Sequence, residues 1–276
     1  MKEEPYLRIC TKNKEKTMID NDDLPVGRIL SRREVLALFS LTGTAILLNA
    51  CAPVAPGAPA SPTVAASAEA ATAITTVDAA VPACVVRPEL TEGPLFVDED
   101  LNRSDIRLDP STGKMSEGTQ FDLVFRVSQI ANDTCTPLAG VQVDVWHCDA
   151  YGVYSDTDQL GFQTVGQKFL RGYQITDENG VARFTTIYPG WYEGRTVHIH
   201  FKVRDQQGYD FTSQLFFDDA FTDAVFTQQP YASKGERKLR NDDDGIYRQS
   251  GGQMTLTVEE TPTGYAAVFD IGLDMS

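Results

Sequence analysis

The feature that most restricts this chain is a succession of short apolar/polar alternations in its second half. Phe121–Val127, Val141–His147, Phe169–Ile175, Val181–Ile187, His198–Val203, Met254–Glu259 and Tyr265–Ile271 all run with a period of two, the period of a strand with one buried face. At least seven short strands separated by turn residues predict an all-β protein built as a β-sandwich. The DENG sequence at Asp177–Gly180 falls between two of the runs and predicts a hairpin turn, because Asn and Gly tolerate left-handed backbone.

One of these strands carries chemistry. The stretch TTIYPGWYEGRTVHIHFK (Thr185–Lys202) passes from a turn holding Tyr188, Trp191 and Tyr192 through Arg195 into His198, Ile199, His200 and Phe201. Alternation puts His198 and His200 on one face and Ile199, Phe201 and Val203 on the other. The chain has only three histidines, and neutral imidazole is the commonest protein metal ligand. A structurally satisfied pair is the other reading of His-x-His alone. Tyr192, and Tyr154 in the turn after VQVDVWHCD, add phenols to the pattern.

The ligand types bear on which metal is bound. There is no HExxH, no CxxC and no third histidine at a zinc-like spacing. A two-histidine, one-carboxylate ferrous site stays open through Asp149, Asp156 and Asp158. Two tyrosinates favour a hard trivalent cation instead, since their charge with one hydroxide offsets that of Fe(III) in a partly dry pocket. His147, the third histidine, shares a face with Val141, Val143 and Val145 and reads as a core residue. Trp146 falls on the opposite face, covering the outside of the sheet or meeting an N-terminal segment. The acidic stretches Asp98–Asp105 and Asn241–Gly245 lack the ligand spacing of a calcium loop and read as solvated.

Three blocks together, CVVRPELTEGPLFVDEDLNRSDI (Cys84–Ile106), PLAGVQVDVWHCDAYGVYSD (Pro137–Asp156) and FLRGYQITDENGVARFTTIYPGWYEGRTVHIHFKV (Phe169–Val203), resemble the signature segments of the intradiol ring-cleaving dioxygenases. The resemblance implies an immunoglobulin-like sandwich with loops and short helices around one ferric ion. It implies Tyr154, Tyr192, His198 and His200 as the metal ligands. Arg195 matches the family's active-site arginine, and Gln214 in FTSQLFF matches a glutamine lining the substrate and oxygen pocket. Tyr188 and Tyr151 are weaker pocket candidates. The implied partners are a small aromatic diol and dioxygen, with a cis,cis-muconate-type product; Tyr192, released on substrate binding, would act as base, and a homo-oligomer is left open. Leu95 stands where the family often has tyrosine, which makes the pocket mouth more apolar. Arg171 and Arg183 are the cations near the pocket blocks that an extra substrate carboxylate could meet. Catechol is the expected substrate ahead of protocatechuate. Other readings are a sandwich-shaped cell-surface binding module without turnover, or another non-haem iron oxygenase.

The N-terminal part is of another kind. Arg32 and Arg33, an apolar run from Val35 to Leu48 and Cys51 resemble a twin-arginine export signal ending in a lipoprotein box. The run is too short for a secure span, for which about 20 apolar residues are needed, so residues 1–51 read as an export signal with Cys51 the expected lipid attachment point. Residues 52–81 are rich in Ala, Pro, Ser and Thr and read as a flexible tether. Residues 82–276 form the expected catalytic domain. An exported compartment permits disulfides, and Cys84 with Cys135 is the favoured pair over Cys148. The formal net charge of −15 argues against binding to nucleic acid.

Overall fold

A computed structural model describes residues 85–131 and 134–275. The twin arginines, Cys51, the tether and Cys84 lie outside the described residues. Cys135 is disulfide-bonded, whereas Cys148 is free and buried; Cys84, the expected partner of Cys135, is among the residues not described.

Nine strands are present among the described residues: β1 (Gln120–Ala131), β2 (Thr134–Pro137), β3 (Gln142–Trp146), β4 (Arg171–Ile175), β5 (Val181–Ile187), β6 (His198–Arg204), β7 (Asp210–Phe216), β8 (Glu259–Thr261) and β9 (Gly264–Asp274). They form two sheets. In the first, β1 lies between β9, its parallel neighbour, and the pair β5 and β2, which flank its two halves. The second is wholly antiparallel in the order β4-β3-β6-β7.

The sandwich follows from the alternation. Phe121, Leu123, Phe125 and Val127 on β1 are buried with Phe184 and Phe269 of the same sheet. Facing them, Val143 and Val145 on β3 and Ile199, Phe201 and Val203 on β6 supply the other wall. Phe201 closes the layer, with ring centroids 5.2 Å from Phe125 and 5.5 Å from Phe269. His147 sits between the sheets, where its ring nitrogens meet the Cys148 carbonyl at 2.8 Å and the Thr186 hydroxyl at 2.7 Å. Burial lowers its pKa to about 4, so it is a neutral core histidine, as its strand position predicts.

Two expectations need correction. The DENG turn does not close a hairpin, because β4 and β5 belong to different sheets. Asp177 accepts from the N–H groups of Asn179 and Val181, while the Gly180 carbonyl accepts from Val127, so the turn docks on β1 and carries the chain across. Met254–Glu259 is largely not a strand. Met254 and Leu256 are buried, but only Thr255 bridges to Phe216, so alternation there reflects burial without a ladder. Conversely, β7 carries no clear period in the sequence, because Thr212 and Gln214 are buried together with Phe211, Leu215 and Phe216.

Two short helices follow β7. The first, α1 (Asp219–Val225), is capped by Asp218, and the second, α2 (Gly245–Ser250), by Asp244, whose carboxylate accepts from the N–H groups of Ile246 and Tyr247. Gly251 ends α2 in the left-handed conformation with φ of 58°.

Candidate metal centre

The outer face of the second sheet, away from the core, holds the site. On β6 this face presents His198 and His200, opposite Phe216 and Gln214 of β7, with Trp146 of β3 paired to His200. Both histidines are 2% exposed. The His198 Nδ1–H donates to the Thr196 carbonyl at 2.7 Å, which leaves the Nε2 lone pair directed into the site. Trp146 stacks on the His200 ring, centroids 4.9 Å apart at an interplanar angle of 11°. Thus Trp146 covers the sheet's outer side and also meets the N-terminal segment, its ring 4.8 Å from Phe96.

Two turns bring in the phenols. Tyr154, completely buried, lies after β3, where its carbonyl accepts from the Thr164 hydroxyl at 2.6 Å. Tyr192, half-buried, lies in the turn after β5. The turns pack backbone against backbone: Gly190 N–H donates to the Asp149 carbonyl at 3.0 Å, and a Cβ at Gly190 would stand 2.4 Å from the Ala150 carbonyl oxygen. At Gly152, with φ of +78°, a Cβ would fall 2.0 Å from the Trp191 oxygen. Glycine is needed at both places because the approach leaves no room for a side chain. The Lys234 ammonium joins the turns by donating to the carbonyls of Tyr151 and Trp191.

Four donor atoms converge. The Nε2 of His198 lies 3.0 Å from the Nε2 of His200, 3.2 Å from the Tyr154 hydroxyl and 3.4 Å from the Tyr192 hydroxyl. Donors about 2.1 Å from one shared ion are about 3.0 Å apart at a right angle and about 3.4 Å at the tetrahedral angle. The residues therefore fit a mononuclear metal. Burial, reinforced by the Arg195 charge, lowers the His198 pKa to about 3, and burial with His198 and Arg195 beside it places His200 well below its ordinary value. Both imidazoles are neutral, with the protonation that metal ligation requires. Burial and the neighbouring Tyr192 raise the Tyr154 phenol well above its usual range, so a phenolate there requires a cation in contact with it.

Carboxylates do not complete this site. Among the described residues no group of three or more His, Cys, Asp and Glu is placed to hold a metal. Asp149 accepts from the N–H groups of Tyr151 and Val153, and Asp156 from that of Gly166. The two-histidine, one-carboxylate alternative therefore lacks its carboxylate among the described residues.

Beside the donors, Arg195 is 6% exposed and Gln214 fully buried. The Arg195 Nη2 donates to Gln214 Oε1 at 2.7 Å, and the Gln214 amide donates to the Thr91 carbonyl at 2.8 Å, which ties the TEGP segment to the site. Arg195 Nε donates to Asp244 at 2.9 Å. Asp244 is thus a site residue that the sequence reading assigned to a solvated loop; Asp242 and Asp243 are exposed, but Asp244 is 2% exposed. Its helix-capping position before Gly245 was the available signal. Leu95 is buried against Trp146, Cys148 and Tyr154, with Phe96, Phe162 and Tyr192 alongside.

Other candidates lie elsewhere. Tyr188 is in the core, bonded to the Thr222 hydroxyl at 2.8 Å, and Tyr151 is an exposed partner of Glu117. Arg183 is exposed and pairs with Asp177. Arg171 is buried, donating to the Ser155 hydroxyl at 2.9 Å and carbonyl at 2.7 Å.

A family profile described as Dioxygenase matches residues 91–239. The chain is 32% identical over 163 residues to a catechol 1,2-dioxygenase of Acinetobacter baylyi, covering 50% of this chain and 48% of that protein. It is 27% identical over 207 residues to a catechol 1,2-dioxygenase of a Pseudomonas species, covering 64% of each. The chain spans about half the length of several curated relatives it matches. Among solved structures, an intradiol ring-cleavage dioxygenase from Tetranychus urticae superposes with a TM-score of 0.61 at 27% identity, over 69% of this chain and 95% of that one.

Proposed function

We infer the chemistry of this site from one premise, that the chain belongs to the intradiol ring-cleaving dioxygenase family. The reading is an oxygenase that binds Fe(III) through Tyr154, Tyr192, His198 and His200 and opens a catechol-type ring between its two hydroxyl-bearing carbons. The observation that carries it is the convergence of the His200 Nε2 and two phenol oxygens within 3.0–3.4 Å of the His198 Nε2. Bound there, Fe(III) would supply a Lewis acid that takes up the diol and couples its electrons to dioxygen.

The chain's own residues do the rest. Tyr154 is buried and tied to Thr164, so it stays in place. Tyr192 is half-buried on a turn, making it the phenol able to leave and accept a proton from a diol oxygen. Arg195, held by Asp244, keeps a permanent positive charge beside His198 and His200, where it stabilises negative charge developing on the ring. Gln214, fixed by Arg195 and Thr91, orients the substrate or oxygen. Leu95, Phe96 and Phe162 limit water around the phenols. One dioxygen is added per diol, giving a cis,cis-muconate-type diacid.

Purified protein should therefore contain Fe(III) and show a broad visible tyrosinate-to-iron absorption. Stoichiometric zinc with no visible band would sink the assignment. Tyr192→Phe is expected to retain iron better than turnover, which metal analysis and oxygen uptake on the same sample would separate.

For substrate we propose catechol, or an alkyl-, chloro- or hydroxy-substituted catechol, ahead of protocatechuate. Two guanidinium nitrogens of Arg171 hold Ser155 and the residue lines a cavity with Glu99 behind Trp146, and exposed Arg183 pairs with Asp177, so neither supports recognition of a further carboxylate, while Leu95 contributes an apolar wall. A kcat/KM panel of catechol, 4-methylcatechol, hydroxyquinol and protocatechuate tests this; a clear preference for protocatechuate would overturn it. We also propose export by the twin-arginine signal and lipid attachment at Cys51. Mass spectrometry of membrane fractions should find Cys51 as a lipid-modified N-terminus, and a cytoplasmic protein retaining Met1 or Met18 would contradict this.

A further inference from the structure

Behind the candidate centre lies a second polar site. Trp146, stacked on His200, is paired in register with Arg171 on β4. The segment carrying Phe96 and Glu99 covers both, and Phe96, Glu99, Trp146 and Arg171 line one cavity with about 10 Å³ of room for the centre of a water molecule. One water needs on the order of 10–15 Å³ on that measure.

Three buried side-chain atoms of these residues have no hydrogen-bond partner among the described residues: Glu99 Oε1, Trp146 Nε1 and Arg171 Nη1. Their other polar atoms are committed. The Glu99 carboxyl pairs through Oε2 with the Lys168 ammonium and also meets the Asp156 side chain, and the remaining guanidinium nitrogens of Arg171 hold Ser155. A buried polar atom left unpaired is costly, so three such atoms on residues that line one small space call for a shared partner. Two are donors and one is an acceptor. A water molecule accepts twice and donates twice, matching the set. An anion would be opposed by Glu99 and the Asp156 carboxyl beside it, and a cation by Arg171.

We propose that Glu99, Trp146 and Arg171 form a binding site for a single water molecule, and that through it they fix the Trp146 ring against His200. The water accepts from Trp146 Nε1 and Arg171 Nη1 and donates to Glu99 Oε1. This joins the N-terminal segment to the stacking partner of one candidate ligand and to Ser155, the neighbour of another. The three are positioning residues, outside the reacting atoms.

The direct test is a crystal structure of the intact protein at a resolution that shows ordered solvent, with a parallel bromide soak. One peak within hydrogen-bonding distance of all three atoms, without bromide anomalous signal, is expected. A direct Arg171–Glu99 ion pair, an empty cavity or a bromide peak would overturn the proposal, whatever metal the centre holds. The second test is iron retention against a chelator. Glu99→Met and Trp146→Phe should each weaken retention by about tenfold or more, while Glu99→Gln, which keeps an acceptor, should stay near the unmodified protein. If Glu99→Met does not fold, Trp146→Phe carries that arm. Loss in Glu99→Gln as large as in Trp146→Phe, or no loss in Trp146→Phe, would show that the water does not position the ring.

Discussion

His200→Ala protein is expected to lose iron by more than about 100-fold in affinity, beyond the 10–100-fold typical of an outer hydrogen-bond partner, and to show no turnover above background. The reason is the geometry of the donors. His200 Nε2 lies 3.0 Å from that of His198, and no His, Cys, Asp or Glu cluster among the described residues can replace it. The fold should survive, because the His200 side chain faces away from the Phe125–Phe201–Phe269 layer. Metal analysis with visible absorption measures the first effect and thermal unfolding the second. Full iron occupancy in the variant would remove His200 from the ligand set.

Arg195→Met should be the most damaging change outside the four donors. Arg195 and Asp244 are 6% and 1% exposed at their side chains, and removing one partner of a buried pair costs about 3–5 kcal/mol. Loss of the charge should also lower kcat by about 10²–10³. The pH dependence identifies the cause. Burial opposes ionisation of Asp244, but Arg195 and the N–H groups of Thr196 and Tyr247 hold its pKa below the ordinary value. The pair's stabilisation is therefore present above the unfolded carboxylate pKa of about 4 and lost as pH falls through the lower folded value. Without Arg195, burial dominates, the Asp244 pKa rises, and the variant should gain stability as pH falls from neutral into mild acid. Chemical denaturation at pH 7 and pH 5 reads this; equal loss at both would show that Asp244 is not the strained group.

What could be read in the sequence depended on distance along the chain. The face shared by His198 and His200 follows from alternation within β6, and the burial of His147 from the alternation of β3 continued one residue past its end. Tyr154 and Tyr192 entered as candidates through composition and family resemblance; their approach to the histidines depends on two turns that pack at Gly152 and Gly190. Asp244 was hidden by its exposed neighbours Asp242 and Asp243, although its cap on α2 is a local signal. Gln214 sits in β7, a strand whose buried polar residues erase its period. The Glu99–Trp146–Arg171 site joins the N-terminal segment, β3 and β4, and no local pattern records that meeting.

The central claim is intradiol cleavage of a catechol-type diol, and the most direct measurement is the product formed from catechol by iron-loaded protein under air. The account predicts uptake of one dioxygen per catechol and a colourless cis,cis-muconate carrying both added oxygen atoms. A yellow semialdehyde, dependence on Fe(II), or no oxygen uptake across the diol panel would contradict it.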